Sequence, residues 1–208
     1  MTAVTDIQRK ARYHHGDLRE ALIQATRQLL MERGAENFSL ADACRLAGVS
    51  TAAPYKHFRD KDEILREIVK QGFDRLADRS IAACKAAGAG TLAGIVALGD
   101  EYLRFARTET AVFRLMFGHN EAVKQFEDVA ACGRACFTNV TEQVRLYCER
   151  NDNHDVDDAR KIALSLWTFV HGAASLDIDK DYDKVAPGID VAALMASVAP
   201  LLLAKRPK

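Results

Sequence analysis

Apolar positions recur through most of the chain at the helical period. Leu18, Ala21, Leu22, Ala25 and Leu29 fall at i, i+3, i+4, i+7 and i+11, the spacing of one face of a 3.6-residue helix. Gly34 comes next, suited to a left-handed stop, so a first helix is expected from Asp17 to about Arg33. Ser39 with Asp42 three residues on is an N-cap pattern. Behind it, Leu40, Ala43 and Ala47 can share one face of a helix two turns long. Gly48-Val49-Ser50 interrupts: the glycine can take positive φ and the serine can cap the next segment. Residues 51–58 read as another short helical segment with Pro54 in its first turn, where a helix accepts proline. Asp60 and Glu63 make a second cap pattern, opening a helix with Ile64, Leu65, Ile68, Val69 and Phe73 on its apolar stripe.

Beyond Arg79, glycines at 88, 90 and 94 loosen the chain before helical patterns return. Leu98, Tyr102, Leu103 and Phe105 belong to one helix, and Val112, Leu115 and Met116 to a short one. A long one is expected from about Glu121 to Arg150, ended by the polar loop Asn151 to His154. Ala159, Ile162, Ala163, Leu166, Val170, Ala173 and Ala174 repeat at 3, 4, 7 and 11. After Pro187-Gly188 a last helix carries Val191, Leu194, Met195, Val198, Leu201 and Leu202. Alanine, the best helix former, occurs 34 times against 23 for Val and Ile together, and the β-branched residues are those strands prefer. Residues 55–186 contain no proline, where a sheet protein would need turn prolines. The predicted fold class is all-α.

Composition narrows the class further. Hydrophobic residues make up 49% and charged residues 28% of 208, enough for a core and a solvated surface, which excludes wholesale disorder. Lys plus Arg and Asp plus Glu are both 29, which excludes a uniformly basic coat but not a local basic patch. The longest uncharged apolar run, Val191 to Ala204, has fourteen residues, too short for a membrane-spanning helix. No apolar stretch comes after the N-terminal basic residues, so no signal peptide is expected. The five cysteines, an odd count, are then expected as reduced thiols in a cytoplasm.

Two short helices around a glycine turn, residues 39–58, suit a helix-turn-helix whose second segment enters the major groove. They suit an ordinary αα-hairpin equally. The neighbours favour the first. Arg9, Lys10 and Arg12 form a basic arm upstream, which can reach an adjacent groove or remain a solvated tail. Thr51, Ala52 and Ala53 are small where a backbone must approach DNA, and a Tyr, a Lys and a His come after them. Residues 1–62 hold ten basic and eight acidic groups; the remainder hold nineteen and twenty-one.

Residues 13–76 resemble the N-terminal DNA-binding domain of the TetR family of bacterial regulators. The resemblance rests on Gly34, Phe38 and Ser39, on Gly48-Val49-Ser50, and above all on Tyr55-Lys56-His57-Phe58 followed by Lys61 and Leu65. Tyr13-His14-His15-Gly16-Asp17-Leu18-Arg19 is similar to one subset of the family. Trp167-Thr168-Phe169-Val170-His171-Gly172 is similar to the tryptophan-histidine-glycine motif of one class of TetR ligand domain. Pro54 departs from the pattern, standing where many members carry leucine, and bears on how the recognition helix begins.

The resemblance implies roles for particular residues. Tyr55 and Lys61 match positions that hold DNA phosphates. Ser39 matches a hydroxyl that meets the DNA backbone. Thr51, Ala52, Ala53 and Lys56 fall where base edges are read, and Phe58 matches a core position. Tyr55 has the alternative of packing against the first helix, and His57 of packing or capping rather than touching DNA. The resemblance also implies four regions: a basic arm (1–15), a three-helix helix-turn-helix domain (16–62), a connecting helix (63–79), and a helical bundle for ligand binding and dimerisation (80–208). The implied partners are double-stranded operator DNA, a second copy of the chain and a small-molecule effector. No membrane, cofactor or metal is implied.

A single helix-turn-helix reads one half-site, so a dimer is expected. The apolar stripes at about 156–177 and 189–204 would join two helices from each subunit in a four-helix interface. Tyr102, Phe105, Phe113, Met116, Phe117, Phe126, Phe137, Trp167 and His171 are candidates to line a pocket, though large apolar residues at helical spacing are usually core. His171 either orients a ligand or bonds to a neighbouring helix. Cys132 and Cys136, at i and i+4, suggest a thiol or metal sensor or inert buried thiols; two thiols do not close a zinc site. An enzyme is the competing class. The chain has no phosphate loop, nucleophile elbow or metal-binding His pair, which leaves His171 as the one conceivable catalytic group. The expected function is a repressor released from its operator by a small hydrophobic molecule.

Overall fold

The computed structural model describes residues 15–52, 54–118, 123, 125–151 and 158–204. The basic arm with Arg9, Lys10 and Arg12, the start of the Tyr13 motif, Ala53, and all but the first residue of the polar loop after Arg150 lie outside the described residues. The described residues form nine α-helices and one 3-10 turn, with no strand, so the chain is all-α as expected. It divides into two compact units, 1–68 and 69–208.

In the first unit, α1 (His15–Arg33) buries Leu22, Ile23, Ala25, Leu29 and Leu30; Leu22, Ala25 and Leu29 belong to the predicted stripe, whereas Leu18 and Ala21 are only half-buried. Gly34 ends it at φ +75°. Helix α2 (Leu40–Leu46) starts from a full capping box: the Ser39 side chain accepts from the Asp42 N–H, and the Asp42 carboxylate accepts from the Ser39 N–H. Phe38, Ala43, Cys44, Phe58, Ile64, Leu65 and Ile68 complete the core.

The expected short helix over 51–58 is a correction. It is a 3-10 turn, Pro54–Lys56, preceded by turn residues at Thr51 and Ala52. The Pro54 carbonyl accepts from both His57 N (2.7 Å) and Phe58 N (2.8 Å). Proline has no N–H to extend the ladder backward, and the buried Phe58 anchors the other end.

Helix α3 (Lys61–Ala87) runs eight residues past the expected end at Arg79. Gly88 and Gly90, both at positive φ, turn the chain into α4 (Leu92–Thr108). Helix α5 is Thr110–Phe117, and α6 is Glu127–Asn151, beginning later than the expected Glu121. Helix α7 is Ala159–Ile178. Lys180, at φ +61°, introduces the one-turn α8 (Asp181–Val185), which the apolar pattern does not predict, and α9 is Val191–Leu203.

Within the second unit α4 packs against α7, α6 and α9, and α7 also packs against α6 and α9. The buried Glu101 carboxylate accepts from Arg79 at 2.5 Å and pairs with Arg104 at 3.0 Å. Arg75 grips Glu109 with two N–H groups at 3.1 and 2.7 Å. These pairs satisfy carboxylates that would otherwise be buried unpaired, and they tie the C-terminal part of α3 to α4 and its end.

Candidate functional site

Tyr55 is 65% exposed. Thr51, Ala52 and Lys56 are exposed beside it, and His57 is half-buried. These are the groups of the predicted groove-facing segment that solvent reaches.

Two predicted backbone-contact residues have other partners. The Ser39 hydroxyl donates to Asp42 Oδ2 at 2.5 Å and accepts from Asp42 N at 3.2 Å. Together with the Ser39 N–H and Arg45, this hydroxyl holds the Asp42 carboxyl down at about 2, the Ser39 side chain having the largest effect. The Lys61 ammonium donates to the carbonyls of Ala35 (2.8 Å) and Phe38 (3.0 Å) and lies 4.9 Å from the Phe38 ring centre. Lysine has three N–H donors, so one remains. Ser39 and Lys61 thus build the α1–α2 loop and the start of α2. No local pattern announces the Lys61 bonds, because their partners lie 26 and 23 residues away.

The second unit encloses a cavity of about 540 Å³, within the size range of small-molecule sites. Helix α3 contributes Phe73, Leu76, Ala77, Ser80 and Ile81; α4 contributes Ile95, Leu98, Gly99 and Tyr102. Phe117, Phe137, Trp167, Val170 and Met195 close the apolar wall, and Arg134, Asn139, Gln143 and Arg160 add polar groups. Of the candidate pocket residues, Tyr102, Phe117, Phe137 and Trp167 line this cavity.

Phe105, Phe113 and Met116 are corrections. They are buried but absent from the lining, because neighbours cover them: the Arg79 guanidinium lies 5.8 Å from the Phe105 ring centre, and Phe113 packs against Tyr102 and Phe117. Met116 fills the space over Gly72, where a Cβ would come within 2.7 Å of its sulfur. Phe126 does not line the cavity either. His171 is also corrected: it stands behind the lining rather than in it. The sequence pattern omits the whole α3 contribution, because it marks that helix only as a connector.

His171 Nδ1 lies 2.8 Å from the Tyr102 hydroxyl. This bond joins α4 to α7, and which group donates depends on the imidazole tautomer. The His171 ring is stacked on Trp167 at 5.4 Å and packs beside Phe113 and Phe117 at 5.6 and 5.0 Å. Burial pushes the Tyr102 phenol well above its ordinary range.

All five cysteines are thiols. Cys136 lines the cavity, and burial pushes its thiol up to about 11, which keeps it protonated and poorly nucleophilic at neutral pH. Among the described residues no cluster of three His, Cys, Asp or Glu could hold a metal, and no helix is long and apolar enough to cross a membrane.

One face of the second unit stays open. On α7, Leu164 is 50% and Leu176 43% exposed; on α9, Leu201 is 72% exposed. A shallow depression lined by Leu164, Ser165, Thr168, Phe169, Val198 and Leu202 joins the two helices. Gly172, on the same face, has nothing within 4 Å of where its Cβ would be.

Residues 22–68 match the family described as "Bacterial regulatory proteins, tetR family", and residues 95–199 match "Tetracyclin repressor-like, C-terminal domain". An HTH-type transcriptional regulator of Haemophilus influenzae is 29% identical over 164 residues, 78% of this chain and 79% of its own. The HTH-type transcriptional repressor BepR of Brucella suis is 34% identical over 61 residues, 29% of each chain. Among solved structures, a protein of unknown function from Rhodococcus sp. RHA1 is 29% identical with a TM-score of 0.82, over 95% of this chain and 100% of that one. The helix-turn-helix unit, the helical bundle of the second unit and these matches agree: the chain belongs to the TetR family of transcriptional regulators.

Proposed function

We propose that the protein is a cytoplasmic homodimeric repressor that binds operator DNA through Thr51 to Lys61 and leaves it when a small hydrophobic molecule enters the cavity. The observation that carries the reading is one helix, α3, which bears Lys61 at its N-terminus and then Phe73, Leu76, Ala77, Ser80 and Ile81 in the cavity wall. A ligand that moves this wall acts on the same helix that opens with Lys61. It must prefer the conformation that does not bind DNA; a hundredfold loss of DNA affinity requires a preference of about 2.7 kcal/mol.

Tyr55, Lys56, Thr51 and Ala52 are the solvent-facing groups offered to the groove, with Tyr55 on phosphate and Lys56 on base edges. Ser39 and Lys61 act mainly by shaping the unit, and Lys61 has one donor left for a phosphate. The open face on α7 and α9 supports dimerisation, with Gly172 allowing close approach of the second copy. That pairing presents two recognition segments to two half-sites.

The test is fluorescence anisotropy of labelled DNA from upstream of the coding sequence, with light scattering on the same sample. The reading expects a dimer that holds this DNA more tightly than random DNA and lets go when effector is added. A monomer at micromolar concentration, or equal affinity for both DNAs, overturns it.

A further inference from the structure

We propose that the occupant of the cavity is an anionic amphiphile: an apolar body with a carboxylate at one end, the carboxylate meeting Arg160 at the mouth. The inference deepens the ligand-release reading and rests on it for its biological sense, though binding itself is independent of DNA.

The residues that line the cavity sort by depth. Leu76, Ile95, Leu98, Tyr102, Leu166, Val170 and Met195 are buried, whereas Arg134, Thr138, Arg160 and Leu164 are more open to solvent. These four lie on α6 and α7, so the mouth opens between these helices and the floor lies toward α4 and α9. The floor gives a polar ligand end nothing to hold. Its Tyr102 hydroxyl already bonds His171 Nδ1 at 2.8 Å, so a polar group that claimed it would break an existing bond. The apolar end must go in first.

The charge at the mouth has one sign. The described lining holds two arginines and no Asp, Glu or Lys. Arg134 is already paired with Glu127. The described acid nearest to Arg160 in sequence, Asp158, pairs with Lys161 at 3.5 Å. Arg160 has no ion-pair partner among the described residues, and its planar fork matches a carboxylate. A cationic headgroup would meet two guanidiniums, and a neutral one would leave Arg160 unmatched.

The test uses Trp167, the chain's single tryptophan, which lines the cavity and reports occupancy by its fluorescence. Decanoate, decanol and decyltrimethylammonium are titrated into the full-length protein at concentrations where each is monomeric. Decanoate is expected to bind about five- to tenfold more tightly than decanol, and the cation weakest. Arg160→Gln should bring decanoate to the level of decanol without altering far-UV circular dichroism, the side chain being exposed. Arg134→Gln should have the smaller effect. Decanol binding as tightly as decanoate, the cation binding best, none of the three binding, or an unchanged decanoate preference in Arg160→Gln would each overturn the proposal. A DNA anisotropy arm separates the readings: decanoate that binds yet leaves DNA bound sinks ligand release and leaves this inference standing. Normal operator binding with no preference for decanoate does the reverse.

Discussion

The Tyr102 hydroxyl hydrogen-bonds His171 Nδ1 across 2.8 Å, fastening α4 to α7 behind the cavity wall. Tyr102→Phe keeps the ring and its edge-to-face contact with Phe113 but removes the hydroxyl that partners His171 Nδ1. The expected loss is about 1–3 kcal/mol of stability, read from urea unfolding followed by Trp167 fluorescence. A change below the error of the measurement would show that water replaces the bond.

Lys61 and Lys56 should separate cleanly. Lys61→Ala removes two bonds to loop carbonyls and a cation–π contact, so thermal unfolding should show a loss of about 1–2 kcal/mol, with affinity for operator and random DNA falling together. Lys56→Ala, at an exposed position, should leave the melting temperature alone. It should lower operator affinity by about 1–3 kcal/mol while random-DNA binding changes little. Equal loss on both DNAs would move Lys56 from base edge to phosphate.

The α2 cap carries a pH signature. Asp42 titrates at about 2 in the fold, against 3.8 ordinarily, chiefly because the Ser39 side chain bonds to it. A carboxylate held down in this way stabilises fully above the ordinary value, and its contribution fades as pH falls from 3.8 toward 2. Asp42→Asn should therefore be less stable than the parent at pH 7, with the gap closing toward pH 2. Ser39→Ala, which removes the cap itself, should cost about 1 kcal/mol at neutral pH. A gap that stays constant with pH would show that the cap does not depend on the charge.

Filling the cavity needs the right position. Ala163, one turn before Trp167, is wholly buried and outside the lining, so Ala163→Trp would overpack the core rather than plug the cavity. Gly133 does line it, and a Cβ there would sit 3.4 Å from the Phe73 ring. Gly133→Leu should abolish the decanoate-induced change in Trp167 fluorescence and leave operator binding intact. Stability should hold, since a glycine in a helix interior is itself unfavourable by about 1 kcal/mol. Retained decanoate binding would place the ligand elsewhere.

Gly94 tests the α3–α4 turn. A Cβ at this position would clash with the Gly88 carbonyl oxygen, the same oxygen that accepts the Thr91 hydroxyl at 2.7 Å. Gly94→Ala should destabilise by about 1–3 kcal/mol despite the gain in helix propensity, as measured by thermal unfolding.

How legible each element is in the sequence depends on the range over which its cause acts. The α1 stripe and the Ser39–Asp42 cap are set by residues three or four apart; the cap stands as the pattern predicts, and the stripe does so at Leu22, Ala25 and Leu29. Pro54 does sit in a first turn. Its effect on the hydrogen-bonding pattern depends on Phe58 being anchored in the core, which spacing alone does not reveal. The cavity is half legible. Phe105 and Phe117 are both aromatics on helices, yet only Phe117 borders open space. A gap is made by where distant helices stop short of one another, and nothing in the local sequence of either residue records it. Phe73 and Ile81 escape a sequence reading because the pattern assigns their helix to joining the domains, and Arg160 because an arginine at a helix start looks like ordinary surface.

The open stripe of Leu164, Leu176 and Leu201 links the protein's durability to its abundance. If that stripe is sealed only when two chains meet, the folded state draws part of its stability from mass action. The midpoint of thermal unfolding should then climb with protein concentration, and a Leu201→Glu chain should melt at one temperature however concentrated it is. In a cell, the first copies made would be the most easily unfolded and degraded. Occupancy of the operator would then rise more steeply than in proportion to the number of chains synthesised.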